Sequence, residues 1–589
     1  MNFESLANEL LLDIFDYYYV IDLLRTFFGL NIRINNLIGK YFQSRVMDFR
    51  SMSKHDFDII CRDYLPSFFD SVSAIHLSDD GATPHQLFCF LSHNISFHQF
   101  THLRSLTLHC GPCKSVQKSI LSELCHLSSD LTDLSLTFDD KPYFHGEESI
   151  LPFVNSIWSL PNLTKCYLCI EDLPVSTIVS LSLTDLTIKR GSYSLDKISL
   201  LFKHTPHLKN LTIPSVQLNP DNQIELPVVP SLNMLNTIFI ASEENMVAKF
   251  VEKMPNLCHL TFRTFGLCID GHQLEKIIGQ NLPNLKVLEF RMSLTPDRHL
   301  DIKTQVDRLL EPFQNPFWID EHRWFIQCHW ISSMDNVYLY TLPYAFDYFD
   351  FHQSLQSKSI LIYDDDFYQS YNHVHDLIVH SPSEQNGLDL INIRFNNVRY
   401  LLIDSLLNNH FLSIIPNLNH LVYLDITIFN NDPRYKSQLQ NLLNRAPRLY
   451  SLRFGTGMSP SKFCEKLVIN LRSSSVRRLI LRDVRRQWYN NLQCALLSHS
   501  SLGEQCEILE IDVENETCIY DLVDSMVNLR ALYVRSWITS ANSATENAAG
   551  FVPYYDNNEV IKTFVMITDE EENADALLTD GTSTRFFDL

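Results

Sequence analysis

Apolar residues recur along this chain in a six-residue pattern, apolar-x-x-apolar-x-apolar, with mixed and polar stretches between the windows. The clearest windows in the first half are Leu103/Leu106/Leu108, Leu131/Leu134/Leu136, Leu208/Leu211/Ile213, Leu257/Leu260/Phe262 and Leu285/Leu288/Phe290. The second half continues with Val398/Leu401/Ile403, Leu421/Leu424/Ile426, Leu449/Leu452/Phe454, Val476/Leu479/Leu481 and Leu529/Leu532/Val534. Weaker members include Val72/Ile75/Leu77, Val374/Leu377/Val379 and Ile561/Phe564/Met566. The last two apolar positions of a window are two apart, so both face one side of a short strand, while the residues around them face the other. No single window can bury its apolar face, but stacked neighbours can, under a parallel sheet. The pattern therefore predicts burial of Leu106, Leu211, Leu260, Leu288, Leu424, Leu452, Leu479 and Leu532.

The segments between windows read as helices. In Glu243 to Met254, Met246, Val247, Phe250, Val251 and Met254 fall at helical spacing opposite a charged face. A proline then stops the helix and leads into the next strand, as at Pro161, Pro206, Pro255, Pro283 and Pro447. Most windows are about 20–32 residues apart, the period of leucine-rich repeats. The expected fold is α/β: a short all-helical module over 1–46, a linker or cap over 47–70, then a curved repeat solenoid over 71–589 with a parallel inner sheet. Two regions depart from the repeat. Residues 291–336 read as an aromatic-rich insertion carrying Trp318, Trp324 and Trp330, with Tyr338, Tyr340 and Tyr344 just beyond it. These aromatics either pack the insertion or form a recognition hot spot. The polar run from Ser540 to Asn558 reads as a loop, and Asp569 to Glu572 as a solvated helix start.

In the first module, Leu6, Leu10 and Ile14 lie on one helical line and Leu11 and Phe15 on the adjoining one. Asp22 can cap a second short helix, Gly29 or Asn31 can end it, and a third runs from about Ile32 to Phe42. So many apolar residues on three short helices imply either a partner surface or a cap over the first strand. The run Leu6-x-Asn-Glu-Leu-Leu-Leu-x-Ile-Phe15, followed by Asp22-Leu-Leu24, resembles the start of the F-box, with Ala7 where that family usually has proline. The pairing of such a module with a leucine-rich array resembles the F-box/leucine-rich-repeat proteins. The resemblance implies a substrate-recognition subunit, itself not an enzyme, that docks through a Skp-type adaptor onto a cullin–RING ubiquitin ligase. It places Leu6, Leu10, Leu11, Ile14, Phe15, Leu23 and Leu24 at the adaptor contact. The alternative is a repeat scaffold that binds proteins with no ligase role.

Charge and composition narrow the rest. Lys plus Arg total 47 against 69 Asp plus Glu, for a net charge of -22, which disfavours generic nucleic-acid binding. No apolar run is long enough to span a bilayer, no basic signal segment opens the chain, and the 14 cysteines are scattered, so a reduced cytoplasmic or nuclear setting is expected. No phosphate loop or His-Glu-x-x-His motif occurs. Cys110-Gly-Pro-Cys113 lacks a second ligand pair for zinc, and His373-Val-His375 reads as a solvated lead-in to a strand. No catalytic residue, cofactor or metal site is assigned. Strand alternation turns Arg453, Arg478, Arg482 and Arg535 to the inner face, with Arg263 and Arg291 on two earlier windows. Guanidinium forks suit an acidic or phosphorylated target segment, or else pair with Asp425, Glu510, Asp512 and Glu289 on neighbouring strands.

Overall fold

The computed structural model of the chain describes residues 6–50, 52–79, 83, 86–111, 114–127, 129–138, 150–170, 174–219, 226–331, 336–352, 355–361, 371–380, 393–404, 414–428, 434–456, 467–482, 488–515, 517–536, 551–555 and 561–566. It divides into two compact units, Met1–Trp324 and Phe325–Leu589, a boundary inside the 291–336 stretch. Both are mixed α/β, each around a large and mostly parallel sheet, and no closed barrel occurs among the described residues.

The first unit opens with three helices, α1 (Asn8–Phe15), α2 (Val20–Phe27) and α3 (Ile32–Phe42). Its strands follow as β1 (Val46–Asp48), β2 (Ala74–Ser78), β3 (Ser105–Cys110), β4 (Asp133–Phe138), β5 (Lys165–Cys169), β6 (Asp185–Ile188), β7 (Tyr193–Ser194), β8 (Asn210–Thr212), β9 (Val216–Leu218), β10 (Met234–Ala241), β11 (His259–Phe265) and β12 (Val287–Leu294). The stretch read as linker or cap gives up its start to β1 and then turns helical over Lys54–Ile59 and Leu65–Phe68. The middle apolar position of each window meets its neighbour's directly. The line runs Met47, Ile75, Leu106, Leu134, Cys166, Leu186, Leu211, Leu235, Leu260, Leu288, in parallel register throughout. Every residue on it is buried.

Backbone polarity is satisfied by the same repetition. At most strand starts, two successive amides donate to one carbonyl of the preceding repeat, as Thr132 and Asp133 do to Arg104, and Thr164 and Lys165 to Thr132. Asparagines after the strand-leading prolines lock the same joint: Asn162, Asn256 and Asn284 donate from Nδ2 to the Ser129, Pro230 and Pro255 carbonyls. Connecting helices bury one stripe. Glu244–Val251 buries Val247, Phe250 and Val251, as its spacing predicts, and Gly271–Asn281 starts on a reciprocal cap between Asp270 and Gln273.

The second unit holds β13 (Phe325–Ile331), β14 (Val337–Leu342), β15 (Tyr348–His352), β16 (Leu355–Ser359), β17 (Asp376–His380), β18 (Tyr400–Ile403), β19 (Tyr423–Ile428), β20 (Ser451–Thr456), β21 (Arg478–Ile480), β22 (Ile508–Val513), β23 (Ala531–Ser536), β24 (Phe551–Tyr555) and β25 (Ile561–Met566). Strand β13 pairs antiparallel with β14 and β16, a departure from the repeat within the aromatic-rich stretch. The ten-stranded sheet runs β15-β17-β18-β19-β20-β21-β22-β23-β25-β24. Its buried line is Phe349, Leu377, Leu401, Leu424, Leu452, Leu479, Leu509, Leu532, again in parallel register, and it continues to position 564.

One expectation is corrected here. The Ser540–Asn558 stretch is not loop throughout: Phe551–Tyr555 forms β24, antiparallel to β25 at the sheet's end. Its aromatic and β-branched residues favour a strand, and Pro553 is tolerated at an edge. Of the two readings of the aromatic stretch, burial supports packing. Trp318, Trp324, Trp330, Tyr340 and Tyr344 are all buried, and the Tyr340 and Tyr371 hydroxyls meet at 2.9 Å in the core. The Asp569 to Glu572 run lies outside the described residues. No described helix is long and apolar enough to cross a membrane.

Candidate functional site

The three N-terminal helices make one candidate surface. Helix α1 starts one residue after Ala7, which supplies the first helical carbonyl but no side-chain cap. Arg33 compensates from α3: its guanidinium donates to the Leu6 carbonyl at 2.6 Å and to Asn8 Oδ1 at 2.7 Å, fixing the helix start. Asp22 does not cap α2. It lies in the first turn, where a carboxylate still favours the helix dipole. Gly29, at φ +83°, turns the chain after α2, and Asn31 caps the start of α3 by accepting from the Ile34 amide at 2.9 Å. Of the seven residues assigned to the adaptor contact, Leu11, Phe15, Leu23 and Leu24 are buried in the module's own core. Phe15 packs on Phe27 and Tyr41, which explains why that position is aromatic. These four are corrected to structural roles. Leu10 is 51% exposed, Leu6 and Ile14 are partly exposed, and Tyr17, Tyr19, Leu30 and Ile32 add exposed apolar surface that sequence reading did not single out.

The second candidate surface is the polar face of the ten-stranded sheet. Alternation places Arg453, Arg478 and Arg482 there, and each meets an acid. Arg453 lies 3.4 Å from Asp425, Arg478 2.5 Å from Glu510 and Arg482 3.5 Å from Asp512. Asp512 is fully buried and Asp425 nearly so, and burial pushes the Asp425 carboxyl up against the opposing pull of Arg453. Arg535 stands beside Asp512 in register, its side chain being outside the described set. The arginines are thus held within the sheet as ion pairs, the pairing alternative of the two considered. On the first unit, Arg263 and Arg291 are side by side in register, and Glu289 engages His259 at 3.0 Å and Thr261 at 2.7 Å.

The same face carries a cluster that sequence reading missed. His352 and His380 are register partners on β15 and β17, and Asp350 shares the face two residues before His352. His380 Nε2 is 2.8 Å from Asp350 Oδ1, His352 Nε2 is 3.4 Å from that oxygen, and His380 Nδ1 bonds to Asp404 Oδ2. The two imidazoles stack 4.3 Å apart and His352 is buried. The signal was present: His380 and Asp404 both directly follow the third apolar position of adjacent windows, as Arg482 does. The described members of the Cys110–Cys113 motif do not converge. Cys110 faces the core, His109 alternates away from it, His102 pairs with Asp130 at 3.4 Å, and Cys113 lies outside the described residues. His373 is exposed in the turn before β17, as expected. Scanned against protein-family models, the chain matches none, and it matches no curated protein.

Proposed function

We propose that this chain is a non-enzymatic target-recognition subunit: α1–α3 act as an F-box-like module that docks a Skp-type adaptor of a cullin–RING ubiquitin ligase, and the repeats form a leucine-rich solenoid that holds the target. One observation carries the reading. The helical module fills its own core with Leu11, Phe15, Leu23 and Leu24, yet leaves Leu10 51% exposed and Ile32 80% exposed. A cap serving only the first strand has no need of apolar residues facing water, whereas a docking helix does. The two parallel registers supply the other half, since a row of short strands presents one side chain per strand at each level of an extended face. The target is a protein, read by that face, and ubiquitin chemistry belongs to the partners.

The experiment is affinity purification of the full chain from cells, comparing the unaltered protein with Leu10→Asp/Ile14→Asp. The unaltered chain recovers the adaptor and cullin, and the variant loses both while keeping its far-ultraviolet circular dichroism. A carboxylate desolvated in an apolar contact has no partner, so the loss is complete and not graded. Recovery of the adaptor at the same level from both proteins overturns the docking site. Absence of adaptor from both, with other proteins bound, leaves the scaffold reading.

A further inference from the structure

We infer that Asp350, His352 and His380 bind a divalent transition-metal ion, with Asp404 orienting His380. The site goes beyond the ligase reading and does not depend on it.

Three features carry the inference. The first is placement: two adjacent parallel strands put His352 and His380 in direct register, and alternation puts Asp350 on the same face. The donor atoms of all three lie within 4.8 Å of one another. The second is distance. Metal–donor bonds of about 2.0–2.1 Å require donor–donor edges of about 2.9 Å in octahedral and about 3.4 Å in tetrahedral coordination. The two acid–imidazole edges span that range: the Asp350 oxygen lies 2.8 Å from His380 Nε2 and 3.4 Å from His352 Nε2. The third is the outer contact. The Nδ1–H of His380 donates to Asp404, as a carboxylate outside the coordination sphere commonly receives a ligand imidazole. His352, only 8% exposed, is aimed at the same Asp350 oxygen as His380.

Two imidazoles and one carboxylate suit zinc and its neighbours and not calcium or magnesium, which prefer all-oxygen sets. Three protein donors leave a coordination position open to water or to an oxygen of a bound target.

The test uses the full chain, stripped with a chelator and titrated with Zn²⁺ against a chromophoric competitor. The chain holds 23 His and 14 Cys, so the readout is a difference between proteins and not an absolute count. The unaltered chain binds one equivalent more than His352→Ala/His380→Ala, and an equal concentration of Ca²⁺ does not displace it. Asp404→Asn keeps the three ligands and weakens that equivalent about 10–100-fold. Should the double variant fail to fold by circular dichroism, Asp404→Asn decides alone: weakening in that range supports the site, and unchanged affinity overturns it. Equal Zn²⁺ binding by the unaltered chain and a folded double variant also overturns it and leaves a proton-bridged acid–histidine cluster.

Discussion

The sheets of the two units share one backbone plan and differ on their polar faces. In the first unit the face opposite the core reads His76, Thr107, Ser135, Tyr167, Thr187, Thr212, Asn236, Thr261, Glu289 from strand to strand. In the second, the equivalent row reads Asp350, Ile378, Leu402, Asp425, Arg453, Ile480, Glu510, Tyr533. Uncharged hydroxyls and amides dominate the one, whereas paired charges and aliphatics dominate the other. The buried lines behind them are nearly interchangeable. Strand alternation separates the two jobs: one face fixes the fold and tolerates little change, and the other is free to vary in chemistry.

The comparison breaks first at the buried lines, where the expected effects are largest and equal in the two units. Leu211→Ala and Leu452→Ala each lower the unfolding free energy of the full chain by about 2–5 kcal/mol in urea titrations, since each leaves a cavity in a packed row. A cost under about 1 kcal/mol at either position would mean that the line is not a continuous core.

The polar faces separate next. Asp512→Ala removes the fully buried partner of Arg482 and costs about 1–3 kcal/mol. On the first unit, Thr107→Ala and Ser135→Ala stay within about 0.5 kcal/mol. Equal effects on the two faces would erase the distinction drawn between them.

A pH measurement sharpens the same contrast. Burial raises the Asp425 carboxyl and Arg453 pulls it back. In Arg453→Met the restraint is gone and the carboxyl rises further. An acid whose folded pKa exceeds its unfolded value gains a proton on folding, so this variant becomes more stable as pH falls from 7 toward the unfolded value of about 3.9. Measured relative to the unaltered chain, a stability difference that stays flat between pH 7 and 5 contradicts the assignment.

The smallest effect is shared. Burial pushes the Cys166 and Cys506 thiols, one in each unit, up to about 12. Both stay protonated at pH 8, and alkylation of the native chain leaves them unmodified while denaturant exposes them. Labelling of either at the native rate of an exposed cysteine would place it outside the core.

Much of this was legible in the sequence because leucine spacing and strand alternation are local rules. They located the middle leucines, the helix within Glu243 to Met254, which ends earlier, at Val251, α3 from Ile32 to Phe42, and the acids that meet Arg453, Arg478 and Arg482. What escaped depends on contacts between distant segments. The start of α1 is held by Arg33 and not by a cap of its own, and no local pattern shows this. Leu11 and Phe15 share a helix with Leu10, and only the packing of α1 on α3 shows which of them turn inward. The acid–histidine cluster was missed at β15, whose window Phe346/Phe349/Phe351 keeps the apolar spacing but is entirely aromatic and stands next to the aromatic-rich stretch, so it was not read as a repeat.

The central claim, that the exposed residues of α1–α3, and not the sheet faces, dock the adaptor, is tested most directly by the dissociation constant of the purified full chain for a purified Skp-type adaptor. Three proteins suffice: the unaltered chain, Leu10→Asp/Ile14→Asp, and Arg478→Glu/Arg482→Glu. The account predicts binding by the first and third with dissociation constants within about threefold, a difference of under 1 kcal/mol, and no detectable binding by the second. Adaptor affinity that survives Leu10→Asp/Ile14→Asp, or that falls with the sheet-face variant instead, contradicts it.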